Sequence, residues 1–259
     1  MVHIVGAGCG AADLITLRGA RLLGEADQVI YAGSLVNPEL LELARPGAVL
    51  HDSASLTLEE VVALAEEGER RGWSTVRLHT GDPCLYGAIR EQMDALAARG
   101  IPFDVTPGVS SFCGAAAAIP AEYTLPGVSQ SLIITRAAGR TPVPEGESLS
   151  SLAAHGASMV LFLSAGLLAK AQKELLAGGA YTPDTPAAIV YKATWPEERV
   201  FPCTVGTLEA AARQAGVSRT ALVLVGDFLG KDYRRSDLYN PGFSHGCREG
   251  DGNRREELP

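Results

Sequence analysis

The 259-residue sequence predicts an α/β protein built from two α/β domains. Three observations support this class. Short apolar strand patterns alternate with helical patterns in the first half, a Pro- and Gly-containing segment follows at 120–129, and a second set of strands and helices comes after it. We therefore expect an N-terminal domain over 1–119, a C-terminal domain with a mixed sheet over 120–239, and a largely disordered tail over 240–259.

The composition narrows the functional class. The formal net charge of -8 argues against a nucleic-acid surface, because binding phosphates requires a basic face. The five cysteines include no Cys-x-x-Cys pair, so neither a disulfide frame nor a metal site is predicted. The apolar stretch at 159–169 is too short to span a bilayer, and the N-terminus begins on a strand pattern. We expect a cytoplasmic protein that does not contact membranes.

The first predicted strand, at 2–5, leads into a glycine-rich loop. Gly6, Gly8 and Ala11 match the G-x-G-x-x-[G/A] spacing of dinucleotide-binding proteins. In those proteins the glycines open directly into a helix, whereas here Thr16 is predicted as the N-cap of a later helix. The acid that binds the ribose is also missing from the end of the second strand. A nicotinamide-dependent oxidoreductase is therefore disfavoured.

The remaining elements follow the same alternation. In the first half, strands are predicted at 28–31, 48–51, 76–78 and 102–105, with helices at 17–24, from 37, at 57–71, 85–99 and 112–119. The helix at 57–71 begins with a Thr-x-x-Glu capping box. In the second half, strands are predicted at 132–135, 159–163, 187–191, 199–204 and 221–225, with helices at 149–155, 167–177 and 208–214. No long connection follows residue 204, which predicts an antiparallel pair and a mixed sheet.

The stretch at 73–90 is the centre of the predicted site. Its strand pattern is broken by Thr80-Gly81-Asp82-Pro83, and a helix is predicted from Leu85. This loop therefore lies at the carboxyl end of a strand, where open α/β sheets bind ligands. Gly81 allows a ligand close to the backbone, Asp82 supplies a fixed charge, and Pro83 stiffens the turn.

Further loops at strand ends carry glycine and hydroxyl groups, at 6–10, 33–34 and 106–111. Such donors suit a polar, adenosine-like ligand better than a metal ion. In the second half, Arg136, Arg140 and Lys192 follow strands. They are either a local positive group for an anionic substrate or solvated loop charges. No motif for covalent catalysis is found, and no catalytic residue is assigned.

Four motifs in order resemble the tetrapyrrole (corrin/porphyrin) methyltransferase family: Val5 to Gly10, Gly81-Asp82-Pro83, Thr106 to Ser110, and Phe162-Leu163-Ser164. The resemblance implies a methyltransferase that uses S-adenosyl-L-methionine, with two α/β domains, an active site in the cleft between them, and a homodimer. Four stretches are similar to the members that methylate C11 of precorrin-4 or cobalt-precorrin-4 in cobalamin biosynthesis: Tyr31 to Val36, Thr135 to Pro142, Tyr191 to Glu198, and Ser236 to Gly246.

The resemblance also implies site residues. The cofactor, with S-adenosyl-L-homocysteine as its product, is expected to contact Gly8, Cys9, Thr80, Gly81, Asp82, Leu85, Ser110, Ser111, Leu163, Ser164 and Ala193. The small-molecule tetrapyrrole is expected to contact Ser34, Arg136 and Arg140. The sequence departs from the family at Cys9, where proline is usual, and at Ala193, where several members have glycine.

Two competing hypotheses about function stay open on the sequence. A methyltransferase of the same fold could act on RNA or on a modified protein residue, although the acidic charge disfavours RNA. A catalytically inactive sensor of an adenosyl ligand would bind the cofactor without turnover.

Overall fold

The computed structural model describes residues 1–251 and divides the chain into two compact units. The first unit contains residues 1–118 and 192–199, and the second contains residues 119–191 and the chain from 200 onwards. Each unit has a five-stranded sheet, which confirms the predicted α/β class. The tail predicted to be largely disordered spans 240–259, and its last part, 252–259, lies outside the described residues.

The first unit is a parallel α/β domain. Its strands are β1 (Val2–Gly6), β2 (Gln28–Tyr31), β3 (Val49–Asp52), β4 (Thr75–His79) and β5 (Phe103–Thr106). Its α-helices are α1 (Leu17–Glu25), α2 (Leu58–Arg70), α3 (Ile89–Ala98) and α4 (Ser111–Ala118). The strand order is β3-β2-β4-β1-β5, and neighbouring strands pair in parallel. The central strands β4 and β1 are almost entirely buried, as expected for a parallel sheet with layers on both faces.

Two helix starts in this unit follow the predicted capping chemistry. The Thr16 hydroxyl accepts a hydrogen bond from the Gly19 N–H at 3.1 Å, as an N-cap does. Thr57 and Glu60 form the predicted capping box, in which each side chain accepts from the backbone N–H of the other residue. These contacts satisfy backbone donors that have no partner within the helix.

Two further helix predictions differ from the structure. The helix predicted from Leu85 begins at Ile89, because Tyr86 and Ala88 adopt left-handed backbone conformations, with φ of 55° and 49°. The helix predicted from residue 37 is a 3-10 helix at Pro38–Leu43. Turn geometry of this kind depends on the surrounding packing and is not visible in hydrophobic periodicity.

The second unit has a mixed sheet. Its strands are β6 (Leu132–Arg136), β7 (Ser158–Phe162), β8 (Pro186–Tyr191), β9 (Arg199–Thr204) and β10 (Ala221–Val225), in the order β6-β7-β10-β8-β9. Its α-helices are α5 (Leu149–Ala153), α6 (Leu168–Ala177) and α7 (Leu208–Ala215). β6 and β7 are parallel, whereas β10 is antiparallel to both β7 and β8. The predicted mixed sheet is therefore confirmed, with β10 at its centre.

Each unit has its own apolar core. In the second unit Met159, Leu161, Ile189 and Val223 belong to one cluster with residues of the three α-helices. Across the span that the structure covers, no helix combines the length and the apolar character needed to cross a membrane.

Candidate functional site

The loops that follow β1 and β4 lie at a topological switch point of the first sheet. β1 and β4 are neighbours in the order β3-β2-β4-β1-β5. The chain leaves β1 towards β2 on one side of this pair, and it leaves β4 towards β5 on the other side. In open α/β sheets the ligand crevice forms at the carboxyl ends of such strands. The candidate site of the first unit is therefore built from these loops and from the loop after β5.

Backbone contacts between glycines hold the three loops together. The Gly8 N–H donates to the Gly81 carbonyl at 3.2 Å, and the Gly81 N–H donates to the Gly8 carbonyl at 2.8 Å. A Cβ atom on Gly108 would lie 2.2 Å from the Gly81 oxygen and 2.8 Å from the Gly6 Cα atom. Only glycine fits at this crossing, which explains its recurrence in three separate motifs.

The Asp82 carboxylate joins two of these loops. Its Oδ2 atom accepts from the Gly108 N–H at 2.9 Å, and its Oδ1 atom accepts from the Cys84 N–H at 2.8 Å. Burial raises the pKa of Asp82, but hydrogen bonds from Cys84 and Gly108 outweigh that effect and leave the pKa below its usual value. Asp82 is therefore ionised at neutral pH and stabilises the loop geometry.

The other predicted cofactor residues of the loops after β4 and β5 are Thr80, Leu85, Ser110 and Ser111. Ser110 is buried at the end of the loop after β5, and Ser111 begins α4. A Cβ atom on Gly81 would lie 3.6 Å from the Ser111 nitrogen, so the two loops are in van der Waals range. Thr80 is exposed beside Gly81, and Leu85 is half-buried in the turn that precedes α3.

The segment 192–199 completes the candidate site of the first unit. The Thr194 hydroxyl accepts from the Ala11 N–H at 3.0 Å and donates to the Cys9 sulfur at 3.6 Å. A Cβ atom on Gly10 would lie 2.6 Å from the Ala193 carbonyl oxygen. Cys9 and Ala193 are both buried and belong to the two segments that Thr194 joins. The role of Thr194 was missed from the sequence, because its partner lies 183 residues away along the chain.

In the second unit, Leu163 and Ser164 follow β7. The Ser164 hydroxyl donates to the Phe162 carbonyl at 2.7 Å and accepts from the Ala137 N–H at 2.8 Å. Ser164 is fully buried, whereas Leu163 is 67% exposed and has a left-handed φ of 51°. Ser164 therefore connects the ends of β6 and β7, and Leu163 is the member of the pair that a ligand can reach.

The two predicted substrate arginines have different environments. The Arg136 guanidinium donates to the carbonyls of Thr141 at 3.1 Å and Pro142 at 2.6 Å, so it folds its own loop. Arg140 is exposed at the tip of that loop. Lys192 is engaged in the first unit, where it pairs with Glu197 at 3.3 Å.

Two further expectations concern Ser34 and metal binding. The backbone of Ser34 lies in a 3-10 turn at Gly33–Leu35, and its side chain lies outside the part of the chain that is described. Among residues 1–251, no three His, Cys, Asp or Glu side chains are grouped so that they could hold a metal ion.

The switch-point loops place the candidate ligand site of this α/β protein at the carboxyl ends of its parallel strands. The profile of the family described as Tetrapyrrole (Corrin/Porphyrin) Methylases matches residues 1–209. The chain belongs to this family, as its motifs predicted.

Two of the relatives that match nearly the whole chain are C(11)-methyltransferases. The cobalt-precorrin-4 C(11)-methyltransferase of Priestia megaterium is 47% identical and covers 96% of this chain and 98% of its own length. The precorrin-4 C(11)-methyltransferase of Sinorhizobium sp is 43% identical over 95% of this chain and 98% of its own length. The narrower resemblance to C11-methylating members is therefore confirmed.

Solved structures agree with this family. An X-ray structure of a cobalt precorrin-4 methyltransferase superposes with a TM-score of 0.86 and 46% identity, over 89% of this chain and 96% of that one. The uroporphyrin-III C-methyltransferase of Thermus thermophilus, complexed with S-adenosylhomocysteine, has a TM-score of 0.74 and 28% identity, over 88% of this chain and 98% of that one.

Proposed function

We propose that this chain transfers a methyl group from S-adenosylmethionine to C11 of precorrin-4 or cobalt-precorrin-4 in cobalamin biosynthesis. One observation carries the proposal: relatives named for this reaction are 43–47% identical over 95–96% of the chain. One of these relatives is named for the cobalt form and the other for the metal-free form, so the two forms are alternatives that the experiment below distinguishes. A homodimer and a cytoplasmic location stay predictions.

The residues of the first unit fit the proposed cofactor. A ligand with an adenosine part needs backbone groups that it can approach closely, together with hydroxyl donors. Gly81 has φ of +60°, which favours glycine, and a Cβ atom built there would lie in van der Waals range of the Ser111 nitrogen, at 3.6 Å, so no side chain separates the two loops. Exposed Thr80 and half-buried Ser111 offer hydroxyl groups on the same loops. We assign Gly8, Cys9, Thr80, Gly81, Leu85, Ser110, Ser111 and Ala193 to cofactor binding.

S-adenosylmethionine supplies an electrophilic methyl group that a nucleophilic ring carbon accepts without a covalent enzyme intermediate. The contribution of the chain is then to hold donor and acceptor in line and to exclude water. Asp82 acts through the loops that it joins, and Ser164 acts in the same way in the second unit. Leu163 is assigned to contact with the cofactor, Arg136 and Arg140 to the tetrapyrrole carboxylate side chains, and Ser34 to the rim of the substrate.

The test is incubation of the purified chain with S-adenosylmethionine and precorrin-4, in metal-free and cobalt forms, followed by mass spectrometry and NMR. The expected product carries one additional methyl group at C11. Tight binding of S-adenosylhomocysteine without a methylated tetrapyrrole would overturn the substrate assignment and favour a sensor. In that case ribosomal RNA and protein acceptors would be tested with radiolabelled cofactor.

A further inference from the structure

A buried polar network lies in β4 and α3, behind the loop that carries Gly81 and Asp82. Its members are Arg77 and His79 on β4 and Gln92 on α3, with exposed fractions of 8%, 5% and 9%. None of them belongs to the cofactor or substrate residues assigned above. Burying a cation away from a carboxylate is costly, so the network requires an explanation.

Gln92 connects the strand to the start of the helix. Its Oε1 atom accepts from the Arg77 Nε–H at 3.0 Å, and its Nε2 group donates to the Ala88 carbonyl at 3.1 Å. Arg77 also donates to the Ile30 carbonyl at 3.1 Å. Among the described residues, Arg77 has no salt bridge to a carboxylate. The charge is thus held by neutral acceptors on β2 and α3.

The network carries one positive charge at neutral pH. Burial lowers the pKa of Arg77 to about 10, which leaves the guanidinium charged. Burial and the neighbouring Arg77 lower the pKa of His79 to about 3, against a hydrogen bond with Gln92 that raises it. His79 is therefore neutral, and its Nε2 atom is buried without a partner among the described residues. A histidine in this state adds no second charge beside Arg77.

The segment that Gln92 holds is unusual in its backbone. Ala88 caps α3 with φ of 49°, and Tyr86 has φ of 55°. Non-glycine residues rarely adopt this conformation, and it persists only where the surroundings enforce it. A Cβ atom on Gly87 would lie 2.3 Å from the Pro83 oxygen, so the turn at 83–88 is tightly folded. The same turn carries Leu85.

We propose that Arg77 and Gln92 are positioning residues that hold the turn at 83–88 in its strained conformation and thereby place Leu85 for cofactor binding. Gln92 is bonded both to Arg77 on β4 and to the Ala88 carbonyl, so the position of the strand fixes the position of this carbonyl. The cofactor part of this inference rests on the proposed function. The effect on the turn does not, since it depends only on contacts within the first unit.

Gln92→Glu distinguishes the two hydrogen bonds of Gln92, the one that holds the Ala88 carbonyl and the one that gives the buried Arg77 an acceptor. The glutamate keeps an acceptor for Arg77 and adds an opposite charge, but it loses the donor to the Ala88 carbonyl. Gln92→Leu loses both functions. The exposed Gln214 on α7 provides the matched control Gln214→Glu. A double variant, Arg77→Met with Gln92→Leu, replaces both polar side chains by apolar ones beside a cavity of about 10 Å³.

Two measurements on the full chain test the proposal: hydrogen exchange of peptides covering 82–92, and calorimetric binding of S-adenosylhomocysteine. In Gln92→Glu and in the double variant, we expect exchange at 84–89 to be about 10-fold faster and the Kd to rise about 5- to 10-fold. Gln214→Glu is expected to match the unmodified chain in both measurements. The melting temperature of Gln92→Glu is expected to stay near that of the unmodified chain, which distinguishes loss of positioning from general destabilisation.

Unchanged exchange and unchanged Kd in both Gln92→Glu and the double variant would overturn the positioning role and leave the proposed function intact. Absence of S-adenosylhomocysteine binding by the unmodified chain would instead overturn the proposed function and, with it, the cofactor part of the inference. Normal binding affinity with faster exchange in Gln92→Glu would overturn the placement of Leu85.

Discussion

The Asp82 carboxylate accepts a hydrogen bond from the Gly108 N–H at 2.9 Å and so connects the loop after β4 to the loop after β5. The second carboxylate oxygen accepts from the Cys84 N–H at 2.8 Å. A single side chain therefore holds two of the three loops at the candidate site. This relationship assigns Asp82 a positioning role, which does not require it to touch the reacting atoms.

Asp82→Asn should lower the stability of the chain and its affinity for S-adenosylhomocysteine, and Asp82→Ala should lower both further. Asparagine keeps one acceptor oxygen and loses the charge, whereas alanine leaves both N–H donors unsatisfied. We expect the free energy of unfolding to fall by about 1 kcal/mol for asparagine and by about 2–3 kcal/mol for alanine, with a parallel rise in the Kd of S-adenosylhomocysteine. Denaturant unfolding and calorimetry measure both. The exposed Asp94 on α3, paired with Arg90, gives Asp94→Asn as a control with little expected change. Equal stability of all three variants would contradict this role.

The stabilisation by Asp82 should depend on pH. Its pKa in the folded chain is lower than in the unfolded chain, where an aspartate titrates at about 4. The unfolded state therefore binds the proton first as pH falls. The stabilisation is fully present above the unfolded pKa and is lost as pH drops through the folded pKa. The difference in unfolding free energy between the chain and Asp82→Asn should be constant from about pH 7 to 5 and shrink below about pH 4. A difference that grows on acidification would contradict the assignment.

Gly108→Ala should disrupt the candidate site by steric overlap. The added methyl group would lie 2.2 Å from the Gly81 oxygen and 2.8 Å from the Gly6 Cα atom, and both are backbone atoms that cannot rotate away. We expect a loss of about 2–4 kcal/mol in unfolding free energy and loss of cofactor binding. Gly24 near the end of α1 is the control, because a Cβ atom there meets only the Leu43 oxygen at 3.4 Å. Gly24→Ala should preserve binding and stabilise the helix by up to about 1 kcal/mol.

Thr194→Val should separate the segment 192–199 from the loop after β1. Valine has the same shape but cannot accept the Ala11 N–H, which the Thr194 hydroxyl binds at 3.0 Å. We expect a loss of about 1–2 kcal/mol in stability and a higher KM for S-adenosylmethionine. Thr194→Ser keeps the hydroxyl and should keep the KM within about twofold of the original value. If serine and valine raise the KM equally, the hydrogen bond is not the cause.

Arg140→Ala and Arg136→Ala should differ in their effects on the KM for the tetrapyrrole and on stability. Arg140 is exposed at the loop tip, so its loss should raise the KM for the tetrapyrrole without lowering the melting temperature. Arg136 donates to the carbonyls of Thr141 and Pro142, so its loss should also destabilise the loop, by about 1–2 kcal/mol. Steady-state kinetics and thermal unfolding of both variants provide the comparison. A normal KM in Arg140→Ala would remove this residue from the substrate site.

Much of the site was predictable because its signals are local. Gly81, Asp82 and Gly108 lie in short motifs that follow strand patterns. In a parallel sheet the carboxyl ends of the strands lie on the same side, so these motifs come together there. Thr16 and Thr57 were recognisable as caps, because a hydroxyl satisfies backbone donors only two or three residues away. The family followed from the order of four motifs, and the matched profile over residues 1–209 agrees with it.

The remaining features depend on contacts between residues that are far apart in the chain. The burial of Arg77 follows from the layers on both faces of β4, and the alternation of Arg77 and His79 with apolar residues does not reveal it. The partner of Thr194 and the internal role of Ser164 likewise appear only when separate loops pack together. The start of α3 at Ile89 follows the left-handed conformation of Ala88, which the hydrophobic pattern does not show.

The sequence by itself determined the α/β class, the element order and the motifs, because these depend on periodicity and turn chemistry over a few residues. Only the tertiary structure decided which polar side chains support the loops and which remain exposed to a ligand, because burial and hydrogen-bond partners are set by packing over long sequence separations.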